Sequence, residues 1–260
     1  MIEFEVDLGR RFGGLSRLYG EAGARRIAAS HVCVVGVGGV GSWAAEALAR
    51  SAVGAITLID LDHIAESNTN RQIHALDGEY GRAKVQAMAS RILAINPRCR
   101  VGSIEDFVSA DNVATLLPSC DLLLDAIDDV GAKAALLAHC RHERISVVTT
   151  GGAGGRRDPT RIAVADLSRT THDPLASKLR ARLRRDYGFS RDPKSEFGIA
   201  CVFSTEPIAR PQESGLACEL DEAGLHGLNC AGYGSAVTVT ASFGLVAAAR
   251  ALDRLAEPVS

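Results

Sequence analysis

No two cysteines in this chain stand as C-x-x-C. The seven present, Cys33, Cys99, Cys120, Cys140, Cys201, Cys218 and Cys230, are scattered and odd in number. That argues against a zinc site built from paired cysteines and fits a reduced, cytoplasmic protein. A surplus of positive charge is missing as well. The 29 Lys and Arg stand against 31 Asp and Glu, a net charge of −2, so any contact with nucleic acid has to come from a local patch. The opening MIEFEVDLGRRFGG has no basic stretch leading into an apolar run, and no secretory leader is expected. Long Leu/Ile-rich runs are absent too. The most apolar segment, 234–255, is diluted by Thr238, Thr240, Ser242, glycines and alanines. It reads as a buried or interface helix, not a membrane span. Repeats and low-complexity tracts are lacking. What remains, 260 residues of ordinary composition, suffices for one large α/β domain or a core with a subdomain.

The organising stretch is 31–62, HVCVVGVGGVGSWAAEALARSAVGAITLIDLD. An apolar run at 32–35 predicts a buried strand. Gly36, Gly38, Gly39 and Gly41 form a turn, 42–50 a helix, and 55–59 a second strand ending at Asp60. Glycines in this context let the chain turn tightly and let backbone N–H groups approach a phosphate. Asp60 stands where an acidic residue can accept hydrogen bonds from a ribose. The pattern alone does not separate NAD, FAD and ATP.

Around this unit, residues 1–30 read as helical in pieces. Their glycine-rich basic segment RRFGGLSR is either a solvated extension or a mobile arm carrying Arg10, Arg11 and Arg17. After Asp60 the chain turns polar, and Ser67, Asn68, Asn70, Arg71 and Gln72 crowd together. This is either a capped turn or a ligand loop beyond a strand's carboxyl end. Arg71 carries a fixed fork of donors suited to phosphate. Residues 81–95 predict an amphipathic helix stopped by Pro97. Lys84 lies in its first turn, where the helix dipole disfavours a cation unless a phosphate is held there. A third strand is expected at 100–104, a short helix at 110–117 and a fourth strand at 121–126. Asp128 and Asp129 follow, either as Mg²⁺ ligands or as caps of the helix at 132–142. A fifth strand at 146–149 runs into TTGGAGG. Strands alternating with helices predict a Rossmann-like, doubly wound, mostly parallel sheet.

Beyond Gly155 the pattern changes. An alternating run at 162–167 predicts an antiparallel extension outside the first unit. Residues 173–187 predict a basic helix with Leu175, Leu179 and Leu183 on one face. Lys178, Arg180, Arg182, Arg184 and Arg185 form either a solvated face or a phosphate-backbone patch for RNA. A strand at 200–204 precedes a turn-rich stretch, and a long C-terminal helix closes the chain. Three parts are thus expected: a helical arm at 1–30, a nucleotide-binding core at 31–155, and a substrate or dimerisation part at 156–260 of the same domain.

A nicotinamide cleft needs no dense group of extra cations. Arg71, Lys84 and Arg17 could surround a triphosphate with Asp128 on its magnesium, which favours ATP. RFGGLSRLYG, the glycine block, SNTNRQ, GRAK, DAIDD and TTGGAGG together resemble the ubiquitin-activating-enzyme-like superfamily. Within it, SNTNRQIHAL, Trp43 in GSWAAEALAR, DPLASKLR and CVFSTE resemble the tRNA threonylcarbamoyladenosine dehydratase family. The resemblance spans nearly the whole chain. It implies an ATP- and Mg²⁺-dependent adenylating enzyme acting on N6-threonylcarbamoyladenosine at position 37 of a tRNA substrate. It also implies a homodimer, and it leaves room for a sulfur-transfer partner of the cysteine desulfurase system.

Residue by residue, the resemblance puts Gly36, Gly38, Gly39 and Gly41 along the nucleotide phosphates and Asp60 on the ribose. Ser67, Asn68 and Arg71 contact the nucleotide, Lys84 meets the phosphates, Asp128 holds the metal with Asp129 beside it, and Arg17 reaches the partner subunit's site as an arginine finger. The chain departs from the wider superfamily in lacking zinc-binding C-x-x-C pairs and an evident catalytic cysteine. Both absences count against the alternative, adenylation of a small sulfur-carrier protein that ends in Gly-Gly. A non-enzymatic nucleotide-binding relay and a nicotinamide oxidoreductase are further alternatives.

Overall fold

Strands buried on both faces need apolar residues at consecutive positions, because neighbouring side chains point to opposite sides. That is the composition of β1 (His31–Val35), β2 (Ala55–Ile59) and β4 (Leu122–Asp125). In the computed structural model, which describes residues 6–209 and 233–258, Val32 and Val34 enter one core cluster and Cys33 and Val35 the other. The remaining strands are β3 (Arg100–Ile104), β5 (Ser146–Thr150), β6 (Ile162–Asp166) and β7 (Ala200–Ser204). All seven form one sheet in the order β3-β2-β1-β4-β5-β7-β6. Every pairing is parallel except β6 on β7, which is antiparallel. The 162–167 run is therefore antiparallel as expected, and it extends the sheet of the first unit as its edge strand.

Helices cover both faces. On one side lie α1 (Leu8–Ala29), α2 (Gly41–Arg50), α3 (Lys84–Ile95) and α7 (Val237–Ala256), whose buried residues join Val32, Val34, Ile56 and Leu58. On the other lie α4 (Val113–Leu116), α5 (Val130–Glu143) and α6 (Pro174–Asp186), packed on Cys33, Val35, Ile59 and Leu123. This is the doubly wound α/β arrangement.

Several boundaries move for local reasons. The glycine-rich segment 10–17 is helical: Asp7 caps α1 by accepting from Arg10 N at 3.0 Å, and Arg11 Nη1 donates to Ile95 O at 2.9 Å. The helix breaks at Gly20, whose φ of 72° no ordinary helix accommodates. The helix expected from residue 81 begins at Lys84, since 81–83 are tied back to the loop through Gly81 N to Ile64 O at 2.8 Å. The helix expected over 110–117 shrinks to the single turn α4. The turn-rich stretch is described only as far as residue 209, and Cys218 and Cys230 lie outside the described residues. Among the described residues no helix is long and apolar enough to cross a membrane.

Candidate functional site

Strand order reverses between β1 and β4, so the loops leaving their carboxyl ends diverge to opposite faces and open a crevice. Gly36 leaves β1 with a φ of 85°, and a side chain there would meet Ala126 O of the β4 loop at 2.9 Å. Gly41 packs closer still: a Cβ would lie 1.8 Å from Gly36 O. These two glycines fold the turn back on itself and seat α2 at the crevice. Val40, the residue before α2, provides no side-chain cap, and the N–H groups of Gly38 and Gly39 make no backbone hydrogen bond among the described residues. An uncapped helix start with free N–H donors is built to receive an anion.

Asp60 ends β2 beside this turn. Its Oδ2 accepts from Val37 N at 2.6 Å and its Oδ1 from Asp62 N at 2.9 Å. Burial pushes its carboxyl pKa up, against the pull of Lys84 and of the two N–H donors. The carboxylate thus already anchors the glycine turn, with lone pairs left over for a further donor.

The polar loop after β2 folds over the turn. The Cγ and Cδ of Arg71 lie 3.2 and 3.3 Å from where a Gly39 side chain would begin, so the arginine stem needs glycine beneath it. Trp43 Nε1 of α2 donates to Arg71 O at 3.0 Å, and Arg71 Nη1 donates to Ser67 O at 2.7 Å and Asn70 Oδ1 at 2.9 Å. Burial lowers the pKa of the guanidinium. Asn68 is buried, with its Oδ1 accepting from Ala65 N, and Ser67 is exposed. Lys84 is not a solvated lysine. It is 5% exposed, and its Nζ donates to Asp62 Oδ2 at 2.6 Å.

Across the crevice, Asp128 is partly buried and has no hydrogen-bond or ion-pair partner among the described residues. Asp129 is the exposed cap of α5, accepting from Ala132 N at 2.6 Å. The expected site residues therefore separate into two groups. Gly36, Gly38, Gly39, Gly41, Asp60, Ser67, Asn68 and Arg71 form a continuous wall linked to Lys84 through Asp62, and Asp128 and Asp129 stand on the facing loop. Arg17 joins neither; it lies on the exposed side of α1.

Sequence reasoning missed the buried polar supports. Asp125 follows the alternation of β4 onto the α5 side, where Lys133 Nζ meets its Oδ2 at 2.8 Å and also donates to Ile127 O at 2.9 Å. Thr149 Oγ1 and Ile127 N complete the carboxylate's bonds. The signal was available: Lys133 precedes Leu136, Leu137 and Cys140 on the buried stripe of α5. Asp173 is a second support. It caps α6 through Ala176 N, accepts from Gly152 N of the loop after β5, and pairs with buried Arg156 at 3.3 Å.

Two arginines of the basic helix are committed within the fold, and Lys178 and Arg185 stay exposed. Arg180 donates to Thr170, Arg184 donates to Ser190 O and stacks on Phe197, and Arg185 grips Asp186 with two bonds. The described cysteines are not poised as nucleophiles. Burial raises the thiols of Cys33 and Cys201 strongly, Cys99 and Cys120 to about 11, and Cys140 to about 12. A cavity of about 1180 Å³ between Arg26, Asp121, Ser146 and Arg254 lies at the opposite end of the strands and contains none of these site residues.

The model of the ThiF family matches residues 12–258. A tRNA threonylcarbamoyladenosine dehydratase of Escherichia coli is 53% identical over 250 residues, covering 95% of this chain and 93% of its own. The solved structure of the E. coli tRNA N6-threonylcarbamoyladenosine dehydratase in complex with ATP is similar with a TM-score of 0.85 and 51% identity, covering 95% of this chain and 94% of that one. Its complex with AMP gives a TM-score of 0.86 at 50% identity, covering 98% of each chain.

Proposed function

The chain belongs to the ThiF family, and from its 53% identity to the E. coli dehydratase over 95% of its length we propose that it is an ATP-dependent tRNA threonylcarbamoyladenosine dehydratase. Its substrate is N6-threonylcarbamoyladenosine at position 37 of tRNA. The observation that carries this reading is the crevice at the carboxyl ends of β1 and β4, with an uncapped helix start and Arg71 on one side and Asp128 on the facing loop. It occurs in a chain similar along 95% of its length to a dehydratase seen with ATP.

The chemistry divides into two steps. The threonyl carboxylate attacks the α-phosphorus of ATP, forming an acyl-adenylate and expelling pyrophosphate. The neighbouring carbamoyl group then attacks the activated carbonyl, giving up a proton as AMP leaves with the former carboxylate oxygen. The nucleoside loses one water overall. Activation is needed because oxide and hydroxide are poor leaving groups and AMP is a good one. Ring closure is intramolecular, so proximity supplies much of its rate.

In this mechanism the N–H groups at the start of α2 and the Arg71 guanidinium bind the phosphates and offset the charge that develops on them. Asp60 accepts from the ribose while it holds the turn. Lys84 shifts from Asp62 toward the phosphates or steers Asp62. Asp128 fits a magnesium site: it is a partly buried carboxylate without a partner, and Mg²⁺ commonly takes one or two carboxylates and completes its shell with phosphate oxygens and water. When bound, the ion would neutralise phosphate charge. Two copies of the chain form a homodimer, with Arg17 of each serving the site of the other, and the protein works in the cytoplasm. The raised thiols of the described cysteines and the missing C-x-x-C pairs weigh against the carrier-protein alternative.

The test is direct. Purified protein with ATP, Mg²⁺ and tRNA carrying threonylcarbamoyladenosine yields AMP and a nucleoside lighter by one water in mass spectrometry. Competent tRNA that emerges with unchanged mass refutes the reading.

A further inference from the structure

Gln72 and His74 stand behind the glycine turn, and neither belongs to the groups assigned above. Both are buried, at 6% and 3% exposure. His74 Nε2 lies 3.0 Å from Gln72 Oε1. An amide oxygen only accepts, so the imidazole must donate from Nε2. Its Nδ1 is sealed from solvent and has no hydrogen-bond partner among the described residues. A proton on Nδ1 would therefore be a buried donor without an acceptor, set beside the cations of Lys84 and Arg91. His74 is fixed as the neutral Nε2–H tautomer. Burial, then Lys84 and Arg91, hold its pKa down to about 4.

This fixes the direction of the glutamine amide. With Oε1 turned to His74, the NH₂ group points the other way. Its Nε2 lies 3.9 Å from the point where a Gly38 side chain would begin, and no other atom comes within 4 Å of that point. Nε2 donates to no described residue, while the backbone is held by Gln72 N to Asn68 O at 2.9 Å. An amide on a buried residue whose N–H donors have no partner among the described residues, set toward an anion-binding turn and held there by a histidine able to donate but not to accept a proton, has the form of a ligand contact.

We propose that Gln72 is a further binding residue of the site, donating to an oxyanion seated above Gly38, and that His74 is the positioning residue that keeps the amide turned toward it. The oxyanion is a phosphate of the nucleotide or the carboxylate of the modified base. The proposal rests on the function argued above, and its test keeps the two separable.

Gln72→Glu preserves the acceptor for His74 and replaces the donors facing Gly38 with an anion. Gln72→Met keeps the shape and removes both. Calorimetric titration with ATP and steady-state kinetics with tRNA are run on wild type and both variants, with thermal unfolding to establish that each is folded. A hydrogen bond to a charged group corresponds to about tenfold or more in affinity. A loss of about that size in ATP affinity assigns the amide to phosphate. Unchanged ATP affinity with a comparable rise in KM for tRNA, or fall in kcat, assigns it to the carboxylate. ATP affinity, KM and kcat all at wild-type values in folded Gln72→Met overturn the proposal. Wild type that binds no ATP overturns the proposed function instead. For the positioning role, His74→Gln retains an N–H donor of similar reach and behaves as wild type, and His74→Leu shows the same defect as Gln72→Met. A His74→Leu chain that is merely less stable, with ATP affinity and KM unchanged, refutes that role.

Discussion

Acidification from pH 7 to pH 5 should destabilise the protein through His74, by an amount that can be worked out in advance. In the folded chain burial, Lys84 and Arg91 hold this imidazole's pKa at about 4; in the unfolded chain it is near the ordinary 6.5. Between those values the unfolded state binds a proton that the folded state refuses, so stability rises with pH across the window and is complete above about 6.5. Each pKa unit of difference is worth about 1.4 kcal/mol, which gives about 2 kcal/mol lost by pH 5 and about 3 by pH 4. With a urea dependence of about 3 kcal/mol/M, the midpoint falls by about 0.7 M between pH 7 and pH 5 from this residue alone. Other groups titrate over the same range, so the quantity to measure is the difference between wild type and His74→Gln. That variant keeps the N–H donor to Gln72 and cannot take up the proton. Equilibrium urea unfolding at pH 7, 6 and 5 should show the two curves diverging as the wild type loses ground. Parallel loss in both proteins would mean that His74 is not held neutral, and the tautomer argument would fail with it.

Lys133→Met leaves the Asp125 carboxylate buried without its cation and Ile127 O without its donor. Breaking such a pair costs about 3–5 kcal/mol, and Asp125→Asn combined with Lys133→Met should recover part of that; urea unfolding of the single and double variants measures both. Arg17→Ala chains mixed with Asp128→Ala chains should regain partial dehydratase activity if Arg17 serves the partner's site, because one of the two sites in the mixed dimer is then intact; verified heterodimers without activity would show that it does not.

Much of the fold was readable in the sequence because its elements obey local rules. Residues 55–59 and 100–104 became β2 and β3 with the expected bounds; the first is a short apolar run, and the second follows the helix stop at Pro97 in a strand–helix alternation. The leucines of α6 fell on the buried face as their spacing required. The failures share one cause, tertiary contact overriding local preference. Gly13 and Gly14 argue against a helix, yet the Asp7 cap and the Arg11 bond to Ile95 O tie this half of α1 to the fold. The cations of α6 read as a solvated face or an RNA patch, but Arg180 and Arg184 find their partners Thr170, Ser190 and Phe197 in segments before and after the helix. No helical periodicity reveals those contacts. In the site, the residues on the glycine turn and the following loop were legible as types suited to phosphate. What each one leans on was not.

That difference explains why the crevice is built as it is. Several groups lining the crevice are held by polar contacts drawn from another element. Asp60 holds the turn through Val37 N, and Trp43 of α2 holds the backbone of Arg71. His74 sets the amide of Gln72, and Lys133 with Asp125 fixes the loop that carries Asp128. Loops at a sheet's carboxyl edge are otherwise its most mobile parts, and electrostatic stabilisation of a developing charge requires donors already aimed before the reaction begins. Each buried polar support costs desolvation that an apolar residue would avoid. Their concentration around one crevice is therefore hard to explain by stability, and follows directly if the fold must present donors at fixed positions to a highly charged co-substrate.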